Sequence, residues 1–354
     1  GPDGRRVGLP EEEGSHLISP VISKGALAVV MFFVTAVAKP VMGQDPYLLV
    51  ITGLGGDPVY SERFTEWGSA LVATAGEKFG IPADHISYLG EDPIADVLIQ
   101  DRSTRENVEL AFATLVTNSQ PDDHVFVVLI GHGSFSAGQS RFNLPGPDLT
   151  AEDFGLLLDQ LSDRRVAFIN LASASGEFVK ALSADGRTIV TATRTGREGN
   201  ETIFGGYFVD AFTGEGADLN KDGRVSVWEA FEFARSEVTR EYETSNRIAT
   251  EHAVLDDNGD GEGSSDLEAD ATDGALARTM FLAADPTMAA ARATDDEELR
   301  AILVQKADVE RRIEELLALR GQIDQDRYDS QLEELLVELA LANREIEART
   351  GGNE

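Results

Sequence analysis

The sequence predicts an α/β fold in which a mostly parallel β-sheet is flanked by helices. Short apolar runs alternate with amphipathic helical segments between about residues 45 and 284, which is the pattern of strand–helix–strand units. The run at residues 125–130 (VFVVLI) is apolar throughout, as expected of a strand that is buried on both faces of a sheet. Together these observations favour a parallel sheet that is covered by helices on both sides.

Five strands and three helices are predicted in this region. The strands are placed at residues 47–52, 86–89, 125–130, 166–170 and 188–193. The helices are placed at residues 61–79, from Ser103 to about Asn118, and from Thr150 onward. Ser103 with Glu106, and Thr150 with Asp153, have the spacing of capping boxes. Sites on parallel sheets lie beyond the carboxyl ends of the strands, so we expect functional residues at these ends.

The composition limits the classes of partner. The chain has 354 residues, with 63 acidic against 30 basic side chains, a formal net charge of −33 and no cysteine. This negative charge argues against binding to nucleic acid or to anionic membrane surfaces, and it leaves cations as natural ligands. The lack of cysteine excludes disulfides, thiolate metal sites and a cysteine nucleophile.

An apolar run at residues 26–38 (ALAVVMFFVTAVA) follows Lys24. It is shorter than the ~20 residues that span a bilayer, and it is typical of the apolar part of a signal peptide. Ala36 and Ala38 offer a small-residue cleavage site. We therefore expect residues 1–43 to be a leader, the protein to be secreted or periplasmic, and no further segment to span a membrane. A buried helix or an uncleaved anchor is the alternative.

The composition changes at about Asp285. From Asp295 onward Glu, Leu, Arg and Ala dominate, and apolar residues recur at spacings of three and four on both sides of Gly321. This pattern predicts an antiparallel helical hairpin, or short coiled coil, at residues 296–349, preceded by a linker at residues 285–295. The hairpin either packs on its own domain or serves in self-association or partner binding. Two helices alone bury little area, so a third surface is expected.

Two of the predicted strands end in residues that could take part in chemistry. The third strand is followed by GHG, with His132 between glycines, and the fourth by LASASG, with Ser173. If these strands are neighbours, their ends lie ~5 Å apart. A histidine at one strand end can act as the base for a nucleophile at the next, and an adjacent glycine lets a backbone N–H approach an oxyanion. The first strand is followed by GLGGD, which lacks the spacing of a dinucleotide-binding loop.

The segment VFVVLIGHGS, followed about forty residues later by VAFINLASASG, resembles the caspase and legumain clan of cysteine peptidases, and most closely its bacterial legumain-like members. In that clan an apolar strand ends in His-Gly, and a later strand ends in Ala-Cys-x-Ser-Gly or a similar sequence. The resemblance covers residues 47–282 and implies a caspase-like fold. It makes His132 the catalytic histidine, Gly133 the oxyanion glycine through its backbone, and Ser173 the residue at the nucleophile position.

The resemblance also implies that loops after the first, fourth and fifth strands shape the substrate pocket. These loops carry charged residues that are candidates for binding substrate. They are Asp57, Arg194, Arg197 and Glu201. For each of them, a solvated loop charge is the preferred interpretation.

Ser173 stands where the clan has its cysteine. A thiol ionises near neutral pH, whereas a serine hydroxyl needs a base that is itself oriented by a third group. The sequence shows no such group for His132. Three interpretations are open: a naturally inactive homologue that recognises a peptide or protein segment, an active hydrolase that uses Ser173 and His132, or a cysteine peptidase whose cysteine was replaced deliberately. The first is preferred because the chain offers no other thiol.

Residues 218–229 (DLNKDGRVSVWE) match the calcium-binding loop of an EF-hand, with oxygen ligands at loop positions 1, 3, 5, 7, 9 and 12 and a glycine at position 6. The predicted ligands are Asp218, Asn220, Asp222, Arg224 through its carbonyl, Ser226 and Glu229. A weaker second loop lacks the glutamate at position 12. Its predicted ligands are Asp256, Asn258, Asp260 and Glu262. Calcium is therefore the expected cofactor, in a structural role, with an ion-free acidic turn as the alternative. A calcium-dependent scaffold without a working strand-end site is a further alternative function.

Overall fold

The computed structural model describes residues 44–267, 272–320 and 323–351, and its strands form two sheets. The strands are β1 (Pro46–Thr52), β2 (Ile86–Gly90), β3 (Asp101–Arg102), β4 (His124–Ile130), β5 (Gly133–Ser136), β6 (Gln139–Phe142), β7 (Leu149–Thr150), β8 (Arg165–Asn170), β9 (Arg187–Thr191) and β10 (Val254–Asp256). The main sheet has seven strands in the order β10-β9-β8-β4-β1-β2-β3. Its neighbours are parallel except for β10, which is antiparallel to β9. The predicted mostly parallel sheet is confirmed.

Helices cover both faces of this sheet. They are α1 (Pro58–Glu77), α2 (Arg105–Asn118), α3 (Ala151–Leu158), α4 (Glu177–Leu182), α5 (Phe204–Thr213) and α6 (Val227–Thr244). One apolar core lies under α1, α5 and α6, and a second lies under α2, α3 and α4. Successive residues of β4 alternate between these cores, with Val128 in the first and Val127 in the second. This alternation explains why the β4 sequence is apolar throughout.

A smaller antiparallel sheet, β5-β6-β7, follows β4 directly. The sequence did not predict it, because strands of two to four residues with polar side chains give no hydrophobic alternation. The predicted start of α2 is also wrong by one residue. Thr104 caps α2 through the Asn107 N–H at 3.4 Å, while the Ser103 hydroxyl donates to the Thr52 carbonyl at 2.6 Å. The capping box that was predicted at the start of α3 is present.

The C-terminal residues form three helices, α7 (Pro286–Ala293), α8 (Glu297–Ala318) and α9 (Gln325–Thr350). The segment predicted as a linker thus contains α7. Helices α8 and α9 share an apolar seam that includes Leu316 and Leu335. Arg349 near the end of α9 pairs with Asp296 at the start of α8 at 2.7 Å, so the two helices run antiparallel.

Helix α8 also contacts the α/β part of the chain. Arg165 at the start of β8 pairs with Glu315 at 3.1 Å, and Arg224 pairs with Glu314. Lys306, which interrupts the apolar pattern of α8, pairs with Glu310 and reaches the Thr287 hydroxyl of α7 at 3.2 Å. The side of α8 away from α9 therefore makes polar contacts with the rest of the chain.

No helix within the described residues is long and apolar enough to cross a membrane. The predicted signal-peptide segment at residues 26–38 lies outside the described residues.

Candidate functional site

The strands that carry the His132 and Ser173 loops are neighbours. Strand β4 pairs in parallel with β8, and Leu129 stands opposite Asn170 at their carboxyl ends. The chain after β4 and the chain after β8 therefore leave the sheet at the same edge, as the sequence predicted. This edge brings the two candidate residues together.

Contact between the loops is made by the backbone of Gly133. Its N–H donates to the Ser173 hydroxyl oxygen at 3.3 Å, and that hydroxyl lies 3.4 Å from the Gly133 carbonyl oxygen. A Cβ atom at residue 133 would lie 2.1 Å from the Ser173 carbonyl oxygen and 3.0 Å from that of Arg141. Only glycine fits this position, because two backbones approach here more closely than a side chain permits.

The hydroxyl of Thr193, which follows β9, holds the loop that carries Ser173. Thr193 accepts hydrogen bonds from the N–H groups of Ser175 and Gly176, at 2.8 and 3.1 Å. Ser173 and Thr193 are both buried. Hydrogen bonds to Thr193, which follows β9, therefore hold the Ser173 loop in the interior of the protein.

Ala174 adopts a left-handed backbone conformation, with φ of 52°. Its N–H donates to the Glu198 carbonyl at 2.8 Å, and its carbonyl accepts from the Ser140 hydroxyl at 2.6 Å. A non-glycine residue with positive φ is held there at a cost, and such residues cluster at functional sites. The backbone directly after Ser173 is therefore held on both sides by hydrogen bonds.

The His132 ring is packed by aromatic side chains. Tyr60 and Phe64, one turn apart on α1, meet it edge to face with ring centroids at 4.6 and 5.0 Å. Within the described part of the chain, the ring has no hydrogen-bond partner, and Ser173 is not bonded to it. The site therefore holds a histidine and a hydroxyl on adjacent loops without a hydrogen bond between them.

Burial lowers the pKa of His132 below its ordinary value, and nearby Arg63 lowers it further, while Glu201 raises it. The neutral imidazole is the form that can accept a proton. Glu201 accepts from the Tyr60 hydroxyl at 3.0 Å and pairs with Arg63. Tyr60, Arg63 and Glu201 thus form a network beside His132, and none of the three is hydrogen-bonded to its ring.

The candidate substrate-binding residues do not converge on one pocket. Asp57 caps α1 through the Val59 N–H at 3.0 Å, and Arg197 is exposed. Arg194 donates to the Ser265 hydroxyl at 3.0 Å and lines a cavity of about 310 Å³. Of these candidates, Glu201 lies nearest to His132, through Tyr60.

Sequence reasoning missed Tyr60, Phe64 and Thr193. Phe64 lies inside the helix that the sequence predicts at residues 61–79 and is buried in α1, and Tyr60 lies four residues earlier on the same face. That spacing was visible, but the position of α1 over the end of β4 was not. Thr193 was placed inside the fifth strand, which instead ends at Thr191.

The first predicted calcium loop is folded around Asp218. Its carboxylate accepts from the N–H groups of Asp222 and Gly223, at 3.1 and 2.9 Å. Glu229 accepts from the Leu219 and Asn220 N–H groups with one oxygen and from Ser226 with the other. The two ends of the loop are therefore joined by hydrogen bonds to Glu229, the residue at position 12, which in an EF-hand loop binds the ion with both oxygens.

Arg224 in this loop links it to its surroundings. Its guanidinium stacks on the Phe281 ring at 3.9 Å and pairs with Glu314 of α8. The loop is thus tied to the C-terminal helices by a residue whose carbonyl was predicted as a ligand.

The second loop repeats the turn of the first. The Asp260 N–H donates to Asn258 at 2.8 Å, and the Glu262 N–H donates to Asp260 at 2.7 Å. The matching bonds in the first loop join Asp222 to Asn220, and Arg224 to Asp222, both at 2.8 Å. Glu262 is exposed.

Over residues 44–267, 272–320 and 323–351, no three histidine or acidic side chains form a group that could hold a metal ion. Calcium therefore stays a prediction at both loops.

Comparison with known proteins gives structural neighbours only. No family model matches the sequence, and no curated protein matches it. Among solved structures, the Drosophila initiator caspase Dronc aligns with a TM-score of 0.38 and 10% identity, over 71% of this chain and 95% of that chain. The structure of drICE aligns with a TM-score of 0.36 and 8% identity, over 60% of this chain and 87% of that chain. These scores are too low to assign a family.

Replacing Gly133 with alanine should damage the site. The added Cβ meets two backbone carbonyls, which cannot rotate away, so we expect unfolding free energy to fall by about 1–3 kcal/mol. Urea denaturation measures this change. Gly199→Ala is the matched control, since no atom lies within 4 Å of its added Cβ. Equal stability of the two variants would contradict the close approach at Gly133.

The His132 ring should titrate below its ordinary pKa of 6.5, as followed by the ring proton shifts in NMR. Glu201→Gln should lower this pKa further and Arg63→Gln should raise it, because the two charges act in opposite directions. A lowered pKa in the folded state means that the unfolded chain binds the proton more readily. His132 therefore costs stability as pH falls through 6.5. Shifts of the same sign in both variants would contradict this environment.

Proposed function

We propose that this chain is an inactive homologue of the caspase and legumain clan of peptidases, which binds a peptide or protein segment at the carboxyl edge of its sheet without cleaving it. The observation that carries the proposal is the position of the Ser173 hydroxyl. It is bonded to the backbone of Gly133 and not to the His132 ring.

Two contacts of this position support an inactive site. A serine hydroxyl is a weak nucleophile unless a base takes its proton, and the His132 ring is held by Tyr60 and Phe64 instead. The Gly133 N–H, which would stabilise an oxyanion, already donates to Ser173. The carboxyl edge of the sheet still offers backbone hydrogen-bonding groups and the neutral imidazole of His132. Such an edge suits recognition of an extended segment.

An active serine hydrolase is the second candidate. The lowered pKa of His132 favours it, because a neutral imidazole near a hydroxyl could accept its proton. The same site would also result from deliberate replacement of a catalytic cysteine by Ser173. These alternatives give different outcomes in the labelling experiment below.

We further propose that calcium braces the fold at residues 218–229 and that the protein acts outside the cytoplasm. The hydrogen bonds of Asp218 and Glu229 bring the first and last predicted ligands to one loop. Extracellular calcium reaches concentrations that fill weak sites, which agrees with the predicted leader.

Restoring the thiol tests the catalytic proposal. Because the chain has no cysteine, Ser173→Cys creates a single thiol that intact-mass analysis can follow. We expect iodoacetamide at pH 6 to alkylate it at least ~10-fold faster than an ordinary thiol, because a thiol, unlike the serine hydroxyl, can give its proton to the neutral His132 imidazole and form a thiolate–imidazolium pair. Adding His132→Ala should abolish the advantage.

Ser175→Cys is the matched control, because that side chain lies two residues away and contacts Thr193. It should react slowly. The unmodified chain should not react with a fluorophosphonate. Labelling of its Ser173, lost in His132→Ala, would make the protein an active serine hydrolase and overturn the proposal.

Asp218→Ala should lower the melting temperature in 1 mM calcium by several degrees, on the order of a 1–2 kcal/mol loss, because it removes the loop's first predicted ligand. Glu215→Gln, an exposed acid three residues earlier, should leave it unchanged. Differential scanning fluorimetry in calcium and in EDTA measures both. A chain whose melting temperature is the same in calcium and in EDTA would contradict calcium bracing.

A further inference from the structure

Asp256, the last residue of β10, is buried without a hydrogen-bond partner. Its side chain is 1% exposed, and neither carboxylate oxygen accepts a hydrogen bond of normal geometry from any described residue. The Ser183 hydroxyl and the Gly259 N–H are close enough to lower its pKa, but burial outweighs them and raises it. A buried carboxylate in this state is costly unless something neutralises it.

Asp273 and Ser183 also have a buried side-chain oxygen without a hydrogen-bond partner among the described residues. Asp273 is 4% exposed; one of its oxygens accepts from the Asp257 N–H at 3.2 Å, and the other has no partner among the described residues. The buried Ser183 hydroxyl at the end of α4 also lacks a partner there. A Cβ atom at residue 261 would lie 3.9 Å from the Ser183 Cβ, and Asp273 is bonded to the residue after Asp256, so both residues lie beside the second loop. Together with Asp256 they hold four buried oxygen atoms without partners among the described residues.

The described residues supply no ion-pair partner to this cluster. None of the ion pairs within the described residues includes Asp256 or Asp273. Asp257 faces elsewhere, because its oxygens accept from the Gly274 and Ala277 N–H groups at 2.7 and 2.8 Å. Two carboxylates thus remain without compensation, whereas buried charges in proteins are ordinarily paired or bound to metal.

The two loops differ in the hydrogen bonds of the aspartate at position 1. Asp218, at position 1, is satisfied by two N–H groups of its own loop. Asp256, at position 1 of the second loop, accepts from neither of the corresponding residues, although the turn that follows is the same. The Asp256 carboxylate therefore lacks the loop N–H hydrogen bonds that satisfy Asp218.

We propose that Asp256, Asp273 and the Ser183 hydroxyl bind a divalent cation of the calcium type. Calcium takes six to eight oxygen ligands, including carboxylates and neutral oxygens, and it offsets two buried negative charges. Two carboxylates with a hydroxyl do not amount to three acidic side chains, which is consistent with the absence of such a group among the described residues.

This site differs from the one that the loop sequence predicts. Asp256 is kept, but Asp273 and Ser183 lie outside the loop, and the exposed Glu262 is not needed. The inference deepens the proposed calcium binding at the second loop and does not depend on peptide recognition. Because Asp256 pairs with Ile189 on β9, the ion would fix the edge strand β10 to the end of α4.

Calcium stoichiometry tests the proposal. In a full chain that carries Asp218→Ala, which disables the first loop, isothermal titration of EDTA-stripped protein with calcium should still give one ion per chain. Adding Asp256→Asn or Asp273→Asn should remove it. Asp266→Asn, an exposed acid in the same region, is the matched control and should keep the ion.

Thermal melting separates metal binding from a folding defect. In the Asp218→Ala chain, Asp256→Asn and Asp273→Asn should raise the melting temperature in EDTA, because they remove an unpaired buried charge, and should abolish the remaining gain in calcium. No bound ion in the Asp218→Ala chain, or an ion retained in both asparagine variants, would overturn the inference. If only the unmodified chain binds one ion and Asp218→Ala loses it, the first loop stands and this site does not.

Discussion

The site depends on the approach of two backbones, at Gly133 after β4 and at Ser173 after β8. A Cβ at residue 133 would lie 2.1 Å from the Ser173 carbonyl oxygen, so the contact tolerates no side chain. Parallel pairing of β4 and β8 brings the loops to one edge, and Thr193 and the left-handed Ala174 hold the second loop in place. The pairing of β4 with β8, the left-handed backbone of Ala174 and the absence of a side chain at Gly133 therefore together fix the contact between the two loops.

That geometry explains how one atom could decide the function. With oxygen at residue 173, the hydroxyl is held by the Gly133 backbone, and the ring of His132 is left to its aromatic neighbours. A thiol in the same place would ionise more readily and bind the backbone N–H less strongly. The proposed recognition role follows because the carboxyl edge of the sheet is kept, while the Ser173 hydroxyl is a weak nucleophile.

The apolar pattern predicted the main sheet because β1, β4 and β8 are buried on both faces, and Val127 and Val128 face different cores. The pairing of the His132 and Ser173 loops followed from the adjacency of those strands. Strands β5 to β7 could not be predicted, since they are short and polar. Nor could the aromatic cover of His132, or the burial of Asp256 without a hydrogen-bond partner among the described residues, because both depend on packing between residues distant in sequence.

The central claim is that this edge binds an extended segment without cleaving it. The most direct measurement is incubation of the chain, in calcium, with a peptide library of mixed sequence, followed by mass spectrometry of both new termini and retained peptides. The account predicts retention of a subset of peptides and no new termini. Cleavage that disappears in His132→Ala would contradict it.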